Sequence, residues 1–242
     1  MIDLTVRGFW GPRAEEPEQL AERWLALLGR LEELDGELFS TWVVGADSFD
    51  QASPVERSVP DLAALLRAGN DPRDAPVYGY LLTLMSRAPS GLAASVQVTG
   101  GAVTEYAANS VLVELYAEDL EEYQAPQVAK APGMLAALAD AWDVDQGEVT
   151  DEDLLDALDD TFDLANSDPR AGRAVYLSAG RWERLPQDPP GRATPTAHGG
   201  VVLDLTGPSG EVSTHAVLDA HRVLVDCGAL APRPTPMTRP QL

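Results

Sequence analysis

The chain has almost no lysine and a single cysteine. Lys130 is the one lysine among 17 basic residues, and Cys227 is the one cysteine. An internal disulfide is therefore excluded, as is typical of proteins in a reducing compartment. The first residues, MIDLTVRGFW, lack a basic segment followed by an apolar run. No apolar run approaches the ~20 residues that cross a bilayer. We therefore expect a cytoplasmic protein with no membrane partner.

Positive charge of any kind is scarce. The 242 residues include 39 acidic and 17 basic ones, which gives a formal net charge of −22. Binding a phosphate backbone requires clustered Lys and Arg, so nucleic acid is not an expected partner. A basic protein, in contrast, would be attracted over a long range. The alternative is that the charge only keeps the protein soluble or adapts its surface to salt.

Recognisable catalytic and metal-binding motifs are also lacking. The sequence has no HExxH, no CxxC, no Walker loop and no GxGxxG. The segment DVDQGEVTDED, which begins at Asp143, lacks the glycine and glutamate that an EF-hand needs at its sixth and twelfth positions. We therefore expect no enzymatic activity, no metal and no cofactor.

What the sequence does contain is a clear succession of strand and helix patterns. Ile2, Leu4 and Val6 alternate with polar residues, which predicts a strand. A helical face follows, formed by Leu20, Trp24, Leu27, Leu28, Leu31 and Leu34. The segment RGFWGPR between them is predicted to be a strand-to-helix corner turned by Gly11 and Pro12. Its aromatic residues, and Trp24, are expected to pack in the core.

Further patterns complete the expected fold. The predicted strands are Ser40–Ala46, Tyr78–Ser86, Leu92–Gly100, Ser110–Tyr116, Ala174–Gly180 and Gly200–Gly207. The predicted helices are Pro60–Gly69, Gly133–Trp142, Asp151–Phe162 and Ser213–Asp226. The second to fourth strands are typical of an antiparallel meander. We expect an α+β fold, a central and mainly antiparallel sheet flanked by helices, in a single domain of residues 1–230. LPQDPPGRATPTAHGG is predicted to be a surface loop, and the Pro-rich residues 231–242 a disordered tail.

The most unusual stretch is Ala131–Pro169, which holds twelve acidic residues and no basic one. Within it, TDEDLLDALDDTFD predicts a helix with Thr150 as N-cap and an inward face of Leu154, Leu155, Leu158 and Phe162. Five acidic residues remain on the outward side, namely Glu152, Asp156, Asp159, Asp160 and Asp163. Like charges one turn apart slightly destabilise a helix, so this strip is a candidate for binding a partner. The alternative is an ordinary solvated helix face.

Several segments resemble a known family. RGFWGPR with LAERWLALLGRL, then TWVVGADSFDQA, SAGRWERLP and HGGVVLDLTGPSGEVSTHAVLDAHRVL are similar, in the same order, to segments of the immunity protein 52 family of bacterial polymorphic toxin systems. The resemblance spans roughly residues 2–230. It implies a non-catalytic antitoxin that binds and neutralises a cognate secreted toxin. It also implies that this toxin is a nuclease of the restriction-endonuclease-like class.

The charge of the chain agrees with such a partner, because a nuclease has a basic cleft that an acidic protein can occupy. We therefore predict that the toxin contacts the acidic stretch, through the five residues of the helix together with Asp143, Asp145 and Glu148. Two alternatives from other classes stay open, an acidic scaffold or secretion chaperone, and an enzyme whose site is assembled from residues far apart. The sequence predicts no oligomeric state.

Overall fold

A computed structural model of the protein describes residues 4–44, 52–116, 121–165, 167–207 and 211–242, with the side chains of residues 121–126 left undescribed. Ile2 and the last two residues of the predicted strand Ser40–Ala46 lie outside these ranges. The strands are β1 (Leu4–Trp10), β2 (Val43–Val44), β3 (Tyr80–Arg87), β4 (Ala93–Gly100), β5 (Asn109–Tyr116), β6 (Gln146–Thr150), β7 (Ala174–Leu177), β8 (Arg192–Pro195) and β9 (Val201–Asp204). The helices are α1 (Pro17–Leu34), α2 (Val59–Gly69), α3 (Ala75–Tyr78), α4 (Glu121–Trp142), α5 (Glu152–Phe162), α6 (Ala179–Trp182) and α7 (Thr214–Asp226).

All nine of these strands form one antiparallel sheet, in the order β2-β3-β4-β5-β1-β6-β7-β9-β8. The predicted α+β fold, with an antiparallel sheet in a single domain, is confirmed, and so is the β3-β4-β5 meander. Strand β1 lies in the middle, where Val6 is paired with Val113 of β5 on one side and Val149 of β6 on the other. The N-terminal strand therefore joins the meander to the C-terminal half of the sheet.

Two strands are not predicted by the sequence. The residues of β6, QGEVT, show no strand-like alternation, yet all five are buried. Strand β8 lies within the predicted surface loop and keeps its four residues exposed at the sheet edge. Both strands form because the neighbouring strand offers hydrogen bonds, and side-chain pattern contributes little to either of them.

The larger core lies between one face of the sheet and helices α1, α2 and α4. Its centre holds three fully buried tryptophans. Trp10 stacks on Trp142 with ring centroids 5.6 Å apart, and Trp24 meets Trp142 edge-on at 6.0 Å. The guanidinium of Arg13 lies 5.0 Å from the Trp10 ring centre and donates to the Trp142 carbonyl at 2.8 Å. Trp10 of the RGFWGPR corner thus packs in the core, and the prediction for Trp24 is confirmed. Phe9 does not follow the prediction, because it is half-buried and alternation along β1 places it on the other face of the sheet.

A second core lies on the opposite face, where α5 and α7 cover β7 and β9. It is formed mainly by aliphatic side chains, namely Leu154, Leu158, Val175, Leu177, Val201, Leu203, Val217 and Leu224. Strands β7 and β9 also contribute Tyr176 and Val202 to the larger core on the other face. The C-terminal half of the sheet is therefore covered by helices on both sides, which explains why its strands lack polar alternation.

The structure differs from the sequence prediction for the tail, residues 231–242, which has defined contacts instead of being disordered. The Gly11 amide donates to the Pro240 carbonyl at 2.8 Å, and the Met237 amide donates to the Glu105 carbonyl at 2.8 Å. The Met237 side chain is buried. A Cβ at Gly11 would overlap the carbonyl of Arg239, so glycine is required where the tail crosses the corner.

We predict that removing residues 233–242 destabilises the protein. The truncation removes several hydrogen bonds and one buried methionine, which together contribute roughly 2–4 kcal/mol to the free energy of unfolding. A lower melting temperature than that of the full chain is expected. Thr238→Ala, at an exposed position of the same tail, is the control and should leave the melting temperature unchanged. A truncated protein that melts with the parent would contradict the docking of the tail.

A second prediction concerns the tryptophan cluster. Trp24→Ala should lower the free energy of unfolding by roughly 3–5 kcal/mol, because it opens a cavity beside Trp142. The shift of the urea midpoint measures this loss. Tyr106→Ala, which removes an aromatic ring that is 75% exposed, should move the midpoint little. Equal midpoints for both variants would show that Trp24 does not anchor the core.

Candidate functional site

Helix α5, which carries the predicted contact residues, begins one residue later than the sequence predicts. Asp151, not Thr150, is the N-cap, and its Oδ1 accepts a hydrogen bond from the Leu154 amide at 2.9 Å. Thr150 cannot cap the helix because it is buried at the end of β6, paired with Thr5. The carboxylate of Asp151 also suits the positive end of the helix dipole.

The outward side of α5 is acidic, as predicted. Glu152, Asp156, Asp160 and Asp163 are exposed, and we refer to these four residues as the acidic strip. None of their carboxylates forms an ion pair with a described residue. Asp163 ends the helix in the left-handed conformation, with φ at 51°. The fifth predicted residue, Asp159, is half-buried and paired with Arg170 at 2.9 Å.

Asp145 is not available to a partner, and its prediction as a contact residue is wrong. Its side chain is fully buried and pairs with the equally buried Arg181 at 2.7 Å. The other carboxylate oxygen accepts hydrogen bonds from the Ser178 hydroxyl at 3.2 Å and the Leu242 amide at 2.8 Å. The carboxylate is thus fully occupied within the fold.

Glu148 is likewise in the interior, which corrects the second of these predictions. It is 2% exposed and pairs with Arg7 at 2.7 Å. Burial raises the pKa of Glu148, and the neighbouring Arg7 opposes this rise. Asp143 is half-buried and accepts a hydrogen bond from Gln241 of the tail at 2.8 Å. Strand β6 and the tail, neither of which the sequence predicts, hold these three carboxylates.

Beside α5 lies a cavity of about 160 Å³, which opens where β1, β5 and β6 meet the loop after α5 and the tail. We call it the arginine pocket. The lining residues that matter here are Arg7, Phe9, Gln146, Glu148, Arg170 and Arg233. Exposed Ser167 is also part of the lining, so the pocket reaches the surface.

The aromatic ring of Phe9 is the centre of this pocket. The guanidinium carbon of Arg7 lies 6.0 Å from the ring centre, and that of Arg233 lies 5.6 Å from it. Arg170 lines the pocket and pairs with Asp159 of α5, so an ion pair links the pocket to the helix. Sequence reasoning misses this site because five distant segments form it and one of them, the tail, has no periodic pattern.

The described part of the chain gives two further findings. None of its helices combines the length and apolar character that a bilayer crossing requires. It also contains no group of three or more His, Cys, Asp or Glu side chains placed to hold a metal ion.

Comparison with known proteins identifies the family. The profile of immunity protein 52 matches residues 5–233. The chain belongs to the immunity protein 52 family. Its fold is similar to that of the Pseudomonas aeruginosa T6SS protein PA0821, with a TM-score of 0.50 and 10% identity over 96% of this chain and 74% of that one. At this identity the likeness concerns the fold alone. A search of curated proteins returned no match.

In this immunity protein 52 fold, helix α7 packs against the inner side of α5, the helix that carries the acidic strip. Phe162, on the inner side of α5, packs on His221 of α7 with ring centroids 4.5 Å apart. His221 is 1% exposed, and its Nδ1 accepts a hydrogen bond from the Ala171 amide at 3.3 Å. Burial, assisted by the positive charges of Arg170 and Arg222, lowers the pKa of His221 from 6.5 to about 4.

This shift predicts a pH dependence of stability. Between pH 6.5 and about 4 the histidine of the unfolded chain binds a proton and that of the folded chain does not, so stability falls as the pH falls through this window. The loss amounts to roughly 3 kcal/mol at most. His221→Gln, which can still accept from Ala171, should flatten urea midpoints measured across the window. His215→Gln, at an exposed position of the same helix, should keep the parental slope. If the urea midpoint changed with pH by the same amount in all three proteins, His221 would not be the source of the pH dependence.

Proposed function

We propose that the protein binds and neutralises a cognate toxin through the acidic strip of α5. Membership of the immunity protein 52 family supports the role. We choose this surface because its four exposed carboxylates lie in a line and have no ion-pair partner in the described part of the chain. Most arginines of the protein are already paired with other carboxylates. A basic surface can therefore approach the strip without breaking an internal ion pair.

The position of the strip also favours a binding role. Its carboxylates repel one another from successive turns of the helix. Asp160 and Asp163 lie at the C-terminal end of α5, where negative charge adds to the negative end of the helix dipole. No basic residue in the last turn offsets them. Folding alone does not favour this arrangement, whereas an approaching basic partner would relieve the repulsion.

We further propose that the toxin is a nuclease of the restriction-endonuclease-like class and that the immunity protein acts in the cytoplasm without catalysis of its own. A nuclease carries a basic cleft for its phosphate backbone, and a strip of carboxylates is complementary to such a cleft. Chromosomal DNA lies in the cytoplasm, so the inhibitor is needed there. The net charge of −22 would also accelerate the encounter with a basic toxin.

The test replaces Glu152, Asp156, Asp160 and Asp163 together by serine. Their side chains point away from the core, so the melting temperature should stay the same or rise slightly as the repulsion is removed. Affinity for the cognate toxin should fall, mainly through slower association and with a weaker salt dependence than the parent. Survival on co-expression with the toxin, together with binding kinetics at low and high salt, measures the effect.

A matched control separates the strip from overall charge. Glu22, Glu33, Glu37 and Glu56 are also exposed and form no ion pair with any residue that the structure describes, and replacing them by serine changes the net charge equally. Three of them lie on or just after α1, on the opposite side of the sheet from α5. This control should protect cells nearly as well as the parent. Full protection by the strip variant would refute the proposal. Equal losses of protection in both variants would mean that the strip contributes only through the net charge of the protein.

A further inference from the structure

The arginine pocket contains three buried polar atoms that bond to no described group of the protein. They are Oε2 of Glu148, Oε1 of Gln146 and Nη1 of Arg233. Glu148 and Gln146 are each only 2% exposed, and all three residues line the same cavity. Buried polar atoms without partners are unfavourable and uncommon in folded proteins. Three of them around one cavity can bond to a polar molecule that enters it.

The sheet register brings these atoms together around Phe9. Gln146 is paired with Phe9 across the β1–β6 ladder, and Glu148 is paired with Arg7. Both donor contacts of Arg7 to Glu148 go to Oε1, which leaves Oε2 unused. Arg233 lies over the Phe9 ring at 5.6 Å. The pocket thus presents two hydrogen-bond acceptors from one strand and one donor from the tail.

Arg233 differs from most arginines of this acidic protein. It forms no ion pair and no hydrogen bond with any described residue, and its guanidinium lies over the Phe9 ring. Two carboxylates line the pocket, Glu148 and Asp168; the first is already paired with Arg7, and neither forms an ion pair with Arg233 in the described part of the chain. An acceptor brought by a ligand would therefore satisfy a half-buried guanidinium that the protein itself leaves without one.

An uncharged carboxamide matches this set of atoms. Its two N–H groups can donate to Glu148 and Gln146, and its carbonyl can accept from Arg233. A carboxylate would satisfy Arg233, but it has no N–H group and would leave both acceptors, Glu148 and Gln146, without a donor. An ammonium group would satisfy the acceptors, but it has no acceptor atom for Arg233 and would be repelled by that unpaired guanidinium.

We propose that the arginine pocket binds the side-chain carboxamide of an asparagine or glutamine that the docked toxin inserts. The choice of the toxin as the source rests on the proposed function, because the pocket adjoins α5 through the Arg170–Asp159 pair. A toxin held on the acidic strip would have part of its surface over the mouth of the pocket, beside Ser167.

The carboxamide chemistry can be tested without the toxin. Propanamide reproduces a glutamine side chain, and propanoate and propanamidinium have the same shape with opposite charges. Titration of each into the full-length ¹⁵N-labelled protein should give saturable shifts of the Ser110, Gln146 and Ser167 amide signals with propanamide, at millimolar affinity. Propanoate and propanamidinium should bind at least about tenfold more weakly. No saturable shift at these residues, or propanoate binding as well as propanamide, would overturn the proposal.

Two matched variants extend the test to the toxin. Arg233→Met removes the donor in the pocket, and Arg239→Met removes an exposed arginine of the same tail that does not line the pocket. Arg233→Met should keep the parental melting temperature and lose propanamide binding by about tenfold, and its affinity for the toxin should fall. Arg239→Met should match the parent throughout. Unchanged toxin affinity in a folded Arg233→Met that no longer binds propanamide would overturn the assignment to the toxin. The serine variant of the acidic strip tests the function separately, because it leaves the pocket residues intact.

Discussion

The buried ion pair between Asp145 and Arg181 is the interaction on which the C-terminal half of the molecule depends. The two side chains are fully buried and 2.7 Å apart. Arg181 also donates to the carbonyls of Ala229 and Ala231, at 2.7 and 2.9 Å, and Asp145 accepts from the Leu242 amide. One pair thereby joins the start of β6, helix α6, the chain after α7 and the tail. Leaving either charge alone in this interior would cost about 3–5 kcal/mol.

The same pair orders the arginine pocket. Gln146 follows Asp145 directly in the chain, and Arg233 comes two residues after the Ala231 carbonyl that Arg181 holds. The positions of an acceptor and of the donor in the pocket are therefore fixed by an interaction outside it. The protein thus divides its carboxylates by location. Those in the interior, such as Asp145 and Glu148, have arginine partners, and those of the acidic strip do not.

Elements with a strong local pattern could be predicted from the sequence. Helix α1, the β3-β4-β5 meander and the exposed side of α5 follow from periodicities of 3.6 and 2 residues. Strand β6 is held by pairing with β1, and the tail is held by contacts with Gly11 and Asp143. Neither element could be predicted, because its partners are far away from it in sequence. Asp145 and Glu148 therefore look like surface carboxylates in sequence, although β6 places them inside. The arginine pocket could not be predicted from the sequence for the same reason, because no single segment contains all of its lining residues.

In the proposed complex the strip and the pocket make different contributions. Charge attraction acts over about a Debye length and accelerates the encounter, but many basic proteins would satisfy it equally. Discrimination needs a contact whose absence leaves polar groups without partners. Glu148, Gln146 and Arg233 provide such a contact, because a toxin without a carboxamide at this position would cover them without bonding them. An inhibitor as acidic as this one can therefore bind quickly through charge and still select its partner through an uncharged group.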